Sequence, residues 1–131
     1  MLETALYVDD VARAADFYQR VFGFAALTRD ERLCALDVAG RQVLLLFRRG
    51  GSLQDMTDAR GTIPGHDGSG AYHFAFAIDA ADLDAWEQRL TATGVRIEGR
   101  MAWARGGKSL YFRDPDGHLV ELITPGVWAT Y

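Results

Sequence analysis

From Glu3 to Val8 the chain alternates: Thr4, Leu6 and Val8 fall on one side of an extended segment, Glu3, Ala5 and Tyr7 on the other. The period then changes. Val11, Ala14, Ala15, Tyr18, Val21 and Phe22 recur at three- and four-residue spacing, which predicts an amphipathic helix over 11–22. Asp9 or Asp10 stands where that helix needs a cap, and Gly23 where it needs a left-handed stop. Strands follow at about 25–29, 32–38 and 41–48, with Gly40 turning the second into the third. Val43-Leu44-Leu45-Leu46-Phe47 reads as a buried strand.

The same order recurs further along. From Tyr72 to Ile78, Phe74, Phe76 and Ile78 occupy one face and His73, Ala75 and Ala77 the other. Asp79 is placed to cap a helix from about Ala80 to Ala92, with Leu83, Trp86 and Leu90 as its buried stripe and Gly94 as its stop. Strands are expected near 95–103, 108–113 and 118–124, the last two joined by Asp114-Pro115-Asp116-Gly117. There Pro supplies a preset φ and Gly a positive one. Between the halves, 50–70 is polar, with six glycines and Pro64, and reads as a mobile connection.

These elements predict an α+β fold. Two βαβββ modules, about 1–49 and 71–125, form one domain of curved mixed sheet around a cavity, with the helices outside. On the leading strands the large apolar side chains belong to the helix side. Small residues (Ala5, Ala75, Ala77) stand beside Glu3 and His73 on the other, as suits a concave surface more than a packed core.

Length, charge and cysteine content narrow the partners. A chain of 131 residues is the size of one compact domain. Its net charge of −4 argues against a nucleic-acid surface, and Arg48-Arg49 is its one adjacent basic pair. Cys34, the single cysteine, excludes an internal disulfide and reads as a buried small hydrophobe. No apolar run approaches the roughly 18 residues that cross a membrane, and no leader pattern opens the chain. The cytosol is the expected compartment, without nucleic-acid or membrane partners.

Glu3, His73 and Glu121 carry the candidate chemistry. One imidazole and two carboxylates on separate strands suit a divalent metal. Glu121 alternates with Leu119 and Ile123 and so points inward, where an unpaired carboxylate is costly. Without metal, Glu3 and Glu121 would repel one another, and Glu3 could serve as a general base. His118, at a turn, is expected on the surface and His66 in a loop. Trp86 is expected in the core, Lys108 in solvent, and Trp103 and Trp128 at a cavity mouth or a subunit interface.

Leu6-Tyr7-Val8-Asp9-Asp10, Ala15-Asp16-Phe17-Tyr18 and Gly23-Phe24 in the first half, and Leu110-Tyr111-Phe112-Arg113-Asp114-Pro115-Asp116-Gly117-His118-Leu119-Val120-Glu121-Leu122 in the second, resemble the signatures of the vicinal oxygen chelate superfamily. That family spans glyoxalase I, bleomycin- and fosfomycin-resistance proteins and extradiol dioxygenases. The resemblance covers nearly the whole chain and implies the paired βαβββ fold and a homodimer. In metal-dependent members a ligand opens the first strand, a His opens the matching strand of the second half, and a Glu follows the turn. Those positions here are Glu3, where His or Gln is usual, His73 and Glu121.

The further Glu that glyoxalase I carries on the last strand of its first half falls at Leu44 or Leu45, both apolar. The resemblance therefore implies a three-ligand site for Mn, Fe, Ni, Zn or Co, the carboxylate-rich set favouring Mn or Fe. Tyr111 matches a cavity tyrosine that could donate to a substrate oxygen. The tail from Pro125 to Tyr131 has no Lys or Arg, which counts against the phosphonate grip of fosfomycin-type members. Two functions stay open. One is a metalloenzyme with lyase, isomerase or dioxygenase chemistry on a small molecule with adjacent oxygens, with Glu3, Glu121 and Tyr111 as its catalytic groups. The other is a metal-free drug-binding protein of the bleomycin-resistance kind. Segment 50–70 is expected to act as a lid, with Met56, Ile63 and His66 over the ligand.

Overall fold

The computed structural model describes residues 1–131. The chain divides into two compact units, Met1–Gly70 and Ala71–Tyr131. Segment 50–70 thus belongs with the first.

The first unit runs β1 (Glu3–Val8), α1 (Val11–Phe22), β2 (Ala26–Arg29), β3 (Leu33–Val38) and β4 (Gln42–Arg48). Its sheet has the order β1-β4-β3-β2, with β1 parallel to β4 and the other pairs antiparallel. This mixed sheet is the βαβββ arrangement expected from the alternating periods. Asp10 caps α1, its Oδ1 accepting from the Arg13 amide at 3.0 Å, and Gly23 ends it at φ 76°. Asp9 instead pairs with Arg49. Val11, Ala14, Ala15, Phe17, Tyr18 and Val21 are buried against Leu6, Val8, Leu36, Leu44 and Leu46 on the helix side of the sheet. Each large side chain removed from water there contributes about 1.5–3 kcal/mol. Three residues join β3 to β4; Ala39 (φ 55°) and Gly40 (φ 67°) take left-handed backbone there, and the Arg41 amide closes the turn on the Val38 carbonyl at 3.2 Å.

Segment 50–70 is not a bare connection. Met56–Asp58 (β5) and Gly61–Ile63 (β6) pair as a short antiparallel hairpin, and its base is tied to the unit. The His66 amide donates to the Ser52 carbonyl at 2.7 Å, the Gly65 amide to Asp55 Oδ1 at 2.9 Å, and the Gly50 amide to Asp67 at 3.2 Å.

The second unit repeats the first: β7 (His73–Ala77), a 3-10 turn (Ala80–Asp82), α2 (Leu83–Ala92), β8 (Ile97–Ala102), β9 (Lys108–Arg113) and β10 (Leu119–Ile123). Its sheet order is β7-β10-β9-β8, with β7 parallel to β10. Here the helix is looser. Asp79 makes no side-chain cap, the α-helix begins only after the 3-10 turn, and Leu90 alone is fully buried, with Leu83 and Trp86 half-exposed. The guanidinium of Arg89 lies over the Trp86 ring, so that indole packs under a surface cation where a core position was expected. Cys34 is fully buried, and burial pushes its thiol up, as suits an inert residue.

Candidate metal centre

Strand register decides which side chains share the open face of each sheet. In the first unit Glu3 pairs with Val43, Ala5 with Leu45 and Tyr7 with Phe47, and paired residues point the same way. Leu45, not Leu44, therefore stands on the face of Glu3. Leu44 is 2% exposed, on the helix side. The position where a fourth ligand would stand is apolar either way. Glu3 itself is exposed, at the start of β1.

In the second unit His73 pairs with Leu119, Glu121 with Ala75, and Glu121 with Tyr111. His73 Nε2 and Glu121 Oε2 are 3.4 Å apart. His73 Nδ1 lies 3.1 Å from the Leu119 carbonyl. A carbonyl only accepts, so Nδ1 carries the proton and donates. In the neutral ring Nε2 then holds a lone pair, and it faces a carboxylate oxygen. Two acceptors at that distance need a proton or a cation between them. Tyr111 fixes the other half of the carboxylate, donating from its hydroxyl to Glu121 Oε1 at 3.0 Å. The Glu121 side chain is 7% exposed and that of His73 52%: the acid is anchored in the sheet and the imidazole opens to solvent.

Tyr111 was expected to offer its proton to a substrate oxygen; in this structure that proton goes to Glu121. Burial raises the Tyr111 pKa. A hydrogen bond with Ser109 opposes the shift and the one to Glu121 adds to it, so the phenol holds its proton.

The donor set fits a divalent ion. Two ligands each about 2.1 Å from a tetrahedral ion lie about 3.4 Å from one another. An outward Nε2 with Nδ1 bound to a carbonyl, and a carboxylate braced by a tyrosine, are how ligating groups are oriented. Neither unit alone gathers three His, Cys, Asp or Glu side chains as a metal cluster, so the second unit supplies a pair.

Of the other two histidines, His66 lies in a loop as expected and His118 departs from expectation. His118 is fully buried, not on the surface. Its ring stacks on Tyr72, with centroids 5.2 Å apart, and its Nδ1 accepts from the Tyr72 amide at 3.0 Å. Asp114 Oδ1 takes the His118 amide at 2.8 Å and so turns the ring inward, a role the DPDG motif hides. His66 is anchored as well, with Nδ1 2.9 Å from the Tyr7 hydroxyl and its ring edge against Phe47. Trp103 donates to Ser109 Oγ at 2.8 Å, while Trp128 is 65% exposed. Lys108 is exposed, as expected.

The glyoxalase/bleomycin resistance protein/dioxygenase superfamily model matches residues 1–122, and the chain belongs to that family. A crystal structure of lactoylglutathione lyase from Agrobacterium tumefaciens is 37% identical and superposes with a TM-score of 0.87, covering 98% of this chain and 96% of that one. Metallothiol transferase FosB of Shouchella clausii is 34% identical over 119 residues, 89% of this chain and 74% of the relative. A catechol-2,3-dioxygenase of Bacillus subtilis is 30% identical over 119 residues, which span 38% of its own length. The relatives are thus enzymes of differing chemistry on one fold. No helix of the chain is long and apolar enough to cross a membrane.

Proposed function

We propose that this protein is a metal-dependent glyoxalase-like enzyme acting on a small molecule with adjacent oxygens, and that His73, Glu121 and Glu3 hold its divalent ion. One observation carries the reading: His73 Nε2 and Glu121 Oε2 face each other at 3.4 Å while Nδ1 and Oε1 are committed elsewhere. The names of the relatives, a metallothiol transferase, a lyase and a dioxygenase, support metal-assisted chemistry on small substrates without choosing among them. Neither unit by itself gathers a third ligand; the reading takes Glu3 from a second copy of the chain in a homodimer.

A divalent ion held there supplies charge stabilisation for an oxyanion on a chelating substrate. The side chains do the rest. His73 and Glu121 fix the position of the bound oxygens, and Tyr111 holds Glu121 in one orientation. Glu3, exposed on its strand, has a second carboxylate oxygen that would remain to take a proton from the substrate carbon or oxygen next to the site. Leu45 leaves the site without a fourth protein ligand, which would leave room at the ion for the substrate's oxygens.

Elemental analysis of protein purified without chelator tests this. About one ion per chain is expected in the wild type and almost none in His73→Ala or Glu121→Ala. Undiminished metal in Glu121→Ala would defeat the assignment. A wild type that takes up no ion from Mn, Fe, Ni, Zn or Co would favour the metal-free binding protein.

A further inference from the structure

The first unit holds a cavity of its own. It measures about 380 Å³, within the range of small-molecule sites, and Arg32, Phe47, Met56, Ile63, Pro64 and His66 are among its lining residues. Its apolar surface is built from two directions. Phe47, 8% exposed, comes from the open face of β4. Met56 and Ile63 are direct cross-strand partners on the β5–β6 hairpin, so they share one of its faces. Both remain half-exposed, at 50% and 54%, although both line the cavity. The hairpin thus presents apolar surface that its own unit does not cover.

The ionisable groups are one cation, one carboxylate and an imidazole. The Arg32 guanidinium lies 5.9 Å from the Phe47 ring centroid and gives one N–H to Ser52 Oγ at 2.9 Å. Its other side-chain N–H groups meet no protein acceptor, and guanidinium suits carboxylates. His66 is set by the Tyr7 hydroxyl at Nδ1. When that phenol donates, the ring proton sits on Nε2, a second donor at the wall. Asp55 also lines the cavity, but its Oδ1 accepts the Gly65 amide at 2.9 Å, so the carboxylate is tied to the base of the hairpin.

We propose that this cavity is a binding site for small amphipathic monocarboxylates, with the anion on Arg32 and His66 and the apolar body between Phe47 and the Met56–Ile63 pair. All of its residues lie in the first unit, so the site stands whether or not His73 and Glu121 bind a metal.

Three probes with one apolar body and different charge test this: phenylacetate, benzyl alcohol and benzylamine. Each is titrated into metal-free protein while backbone amides are followed by NMR. Phenylacetate is expected to shift amides within 51–66 and to bind at least tenfold more tightly than benzylamine. Arg32→Gln should weaken phenylacetate at least fivefold and leave benzyl alcohol unchanged, and Arg32→Lys should keep most of the affinity. Met56→Ser with Ile63→Ser should weaken both. His73→Ala, outside this unit, should change neither, which separates this test from that of the metal centre. If the spectrum of free Arg32→Gln shows a displaced hairpin, His66→Phe decides, since it keeps the ring contact with Phe47 and removes the donor; it should weaken phenylacetate alone. Equal binding of the three probes, or phenylacetate shifts confined to other residues, would overturn the proposal.

Discussion

His73 Nε2 faces Glu121 Oε2 at 3.4 Å, and each group's other polar atom already has a partner: Nδ1 the Leu119 carbonyl, Oε1 the Tyr111 hydroxyl. The tyrosine therefore selects which carboxylate oxygen is presented. Tyr111→Phe keeps the ring and deletes that selection. The expected result is a 10- to 100-fold loss of metal affinity, the usual effect of removing a partner behind a ligand, with the fold retained. Competition against a chelating dye measures it. An unchanged affinity would reduce Tyr111 to packing.

The same tyrosine shapes stability at alkaline pH. Burial raises its pKa above the ordinary value, opposed by a hydrogen bond with Ser109 and reinforced by the Glu121 carboxylate; burial and Asp79 raise that of Tyr131. A pKa raised on folding means that the native state binds more protons between the unfolded and folded values. The stabilisation is therefore complete below about pH 10, the ordinary tyrosine value, and is lost as pH rises through the folded values. Urea midpoints are expected to fall above about pH 10, and less steeply in Tyr111→Phe. A wild-type profile flat to pH 11 would contradict this.

Much of this was legible because side-chain direction follows from a period of two. Once Leu119 and Ile123 are inward, so is Glu121, and the structure buries it to 5% exposure. The extent of α1 was equally plain, since an apolar stripe, an Asp cap and a stopping Gly all agree. Other features depend on information a local pattern lacks. Leu44 and Leu45 are both leucines, and only the pairing of Ala5 with Leu45 says which shares the face of Glu3. The hairpin in 50–70 has three-residue strands, too short for alternation to register, and its hold on the unit comes from Asp55 and Asp67 bonding to backbone amides elsewhere in the segment. His118 looked like a surface turn residue because the Asp114 carboxylate that turns it inward is itself part of the turn.

His118 gives a prediction about folding alone. Its ring is fully buried, stacks on Tyr72, and accepts that residue's amide proton. His118→Ala leaves a cavity and takes the acceptor from the half-buried Tyr72 N–H, together about 2–4 kcal/mol. His118→Asn, which can still offer an acceptor, should recover about 1 kcal/mol of that. Urea denaturation of the three proteins checks the order, and a cost below about 1 kcal/mol for the alanine variant would mean that the ring is dispensable.

Gly65 tests whether the hairpin is a separate structural part. A Cβ there would lie 2.4 Å from the Leu53 carbonyl oxygen, a backbone clash that no rotamer relieves, and it would break the approach that lets the Gly65 amide reach Asp55. Gly65→Ala is expected to displace residues 52–66 and to weaken phenylacetate binding at least fivefold. The α1 core shares no contact with that clash, so the cost to global stability should stay within about 1 kcal/mol. Hydrogen exchange reads the two effects apart, with protection lost at the hairpin and kept in β1, β3 and β4. Loss of protection throughout the first unit would show that the hairpin is integral to its core.

The assignment of Glu3 to a partner's site makes the most specific prediction. Glu3→Ala and Glu121→Ala should each abolish metal binding as homodimers. Mixing the two and allowing subunits to exchange produces heterodimers in which one site carries both lesions. The other site then has Glu3 from one chain and His73 with Glu121 from the other, all intact. With random exchange half of the dimers are mixed, so recovery should reach about one quarter of the wild-type sites, since each mixed dimer restores one of its two. If the three ligands came instead from a single chain, every site in every dimer would lack one of them, and mixing would restore nothing. Light scattering gives the prior condition, a dimer at micromolar concentration. A monomer there, or no recovery after verified exchange, removes the shared site while leaving the His73–Glu121 pair to be judged by its own variants.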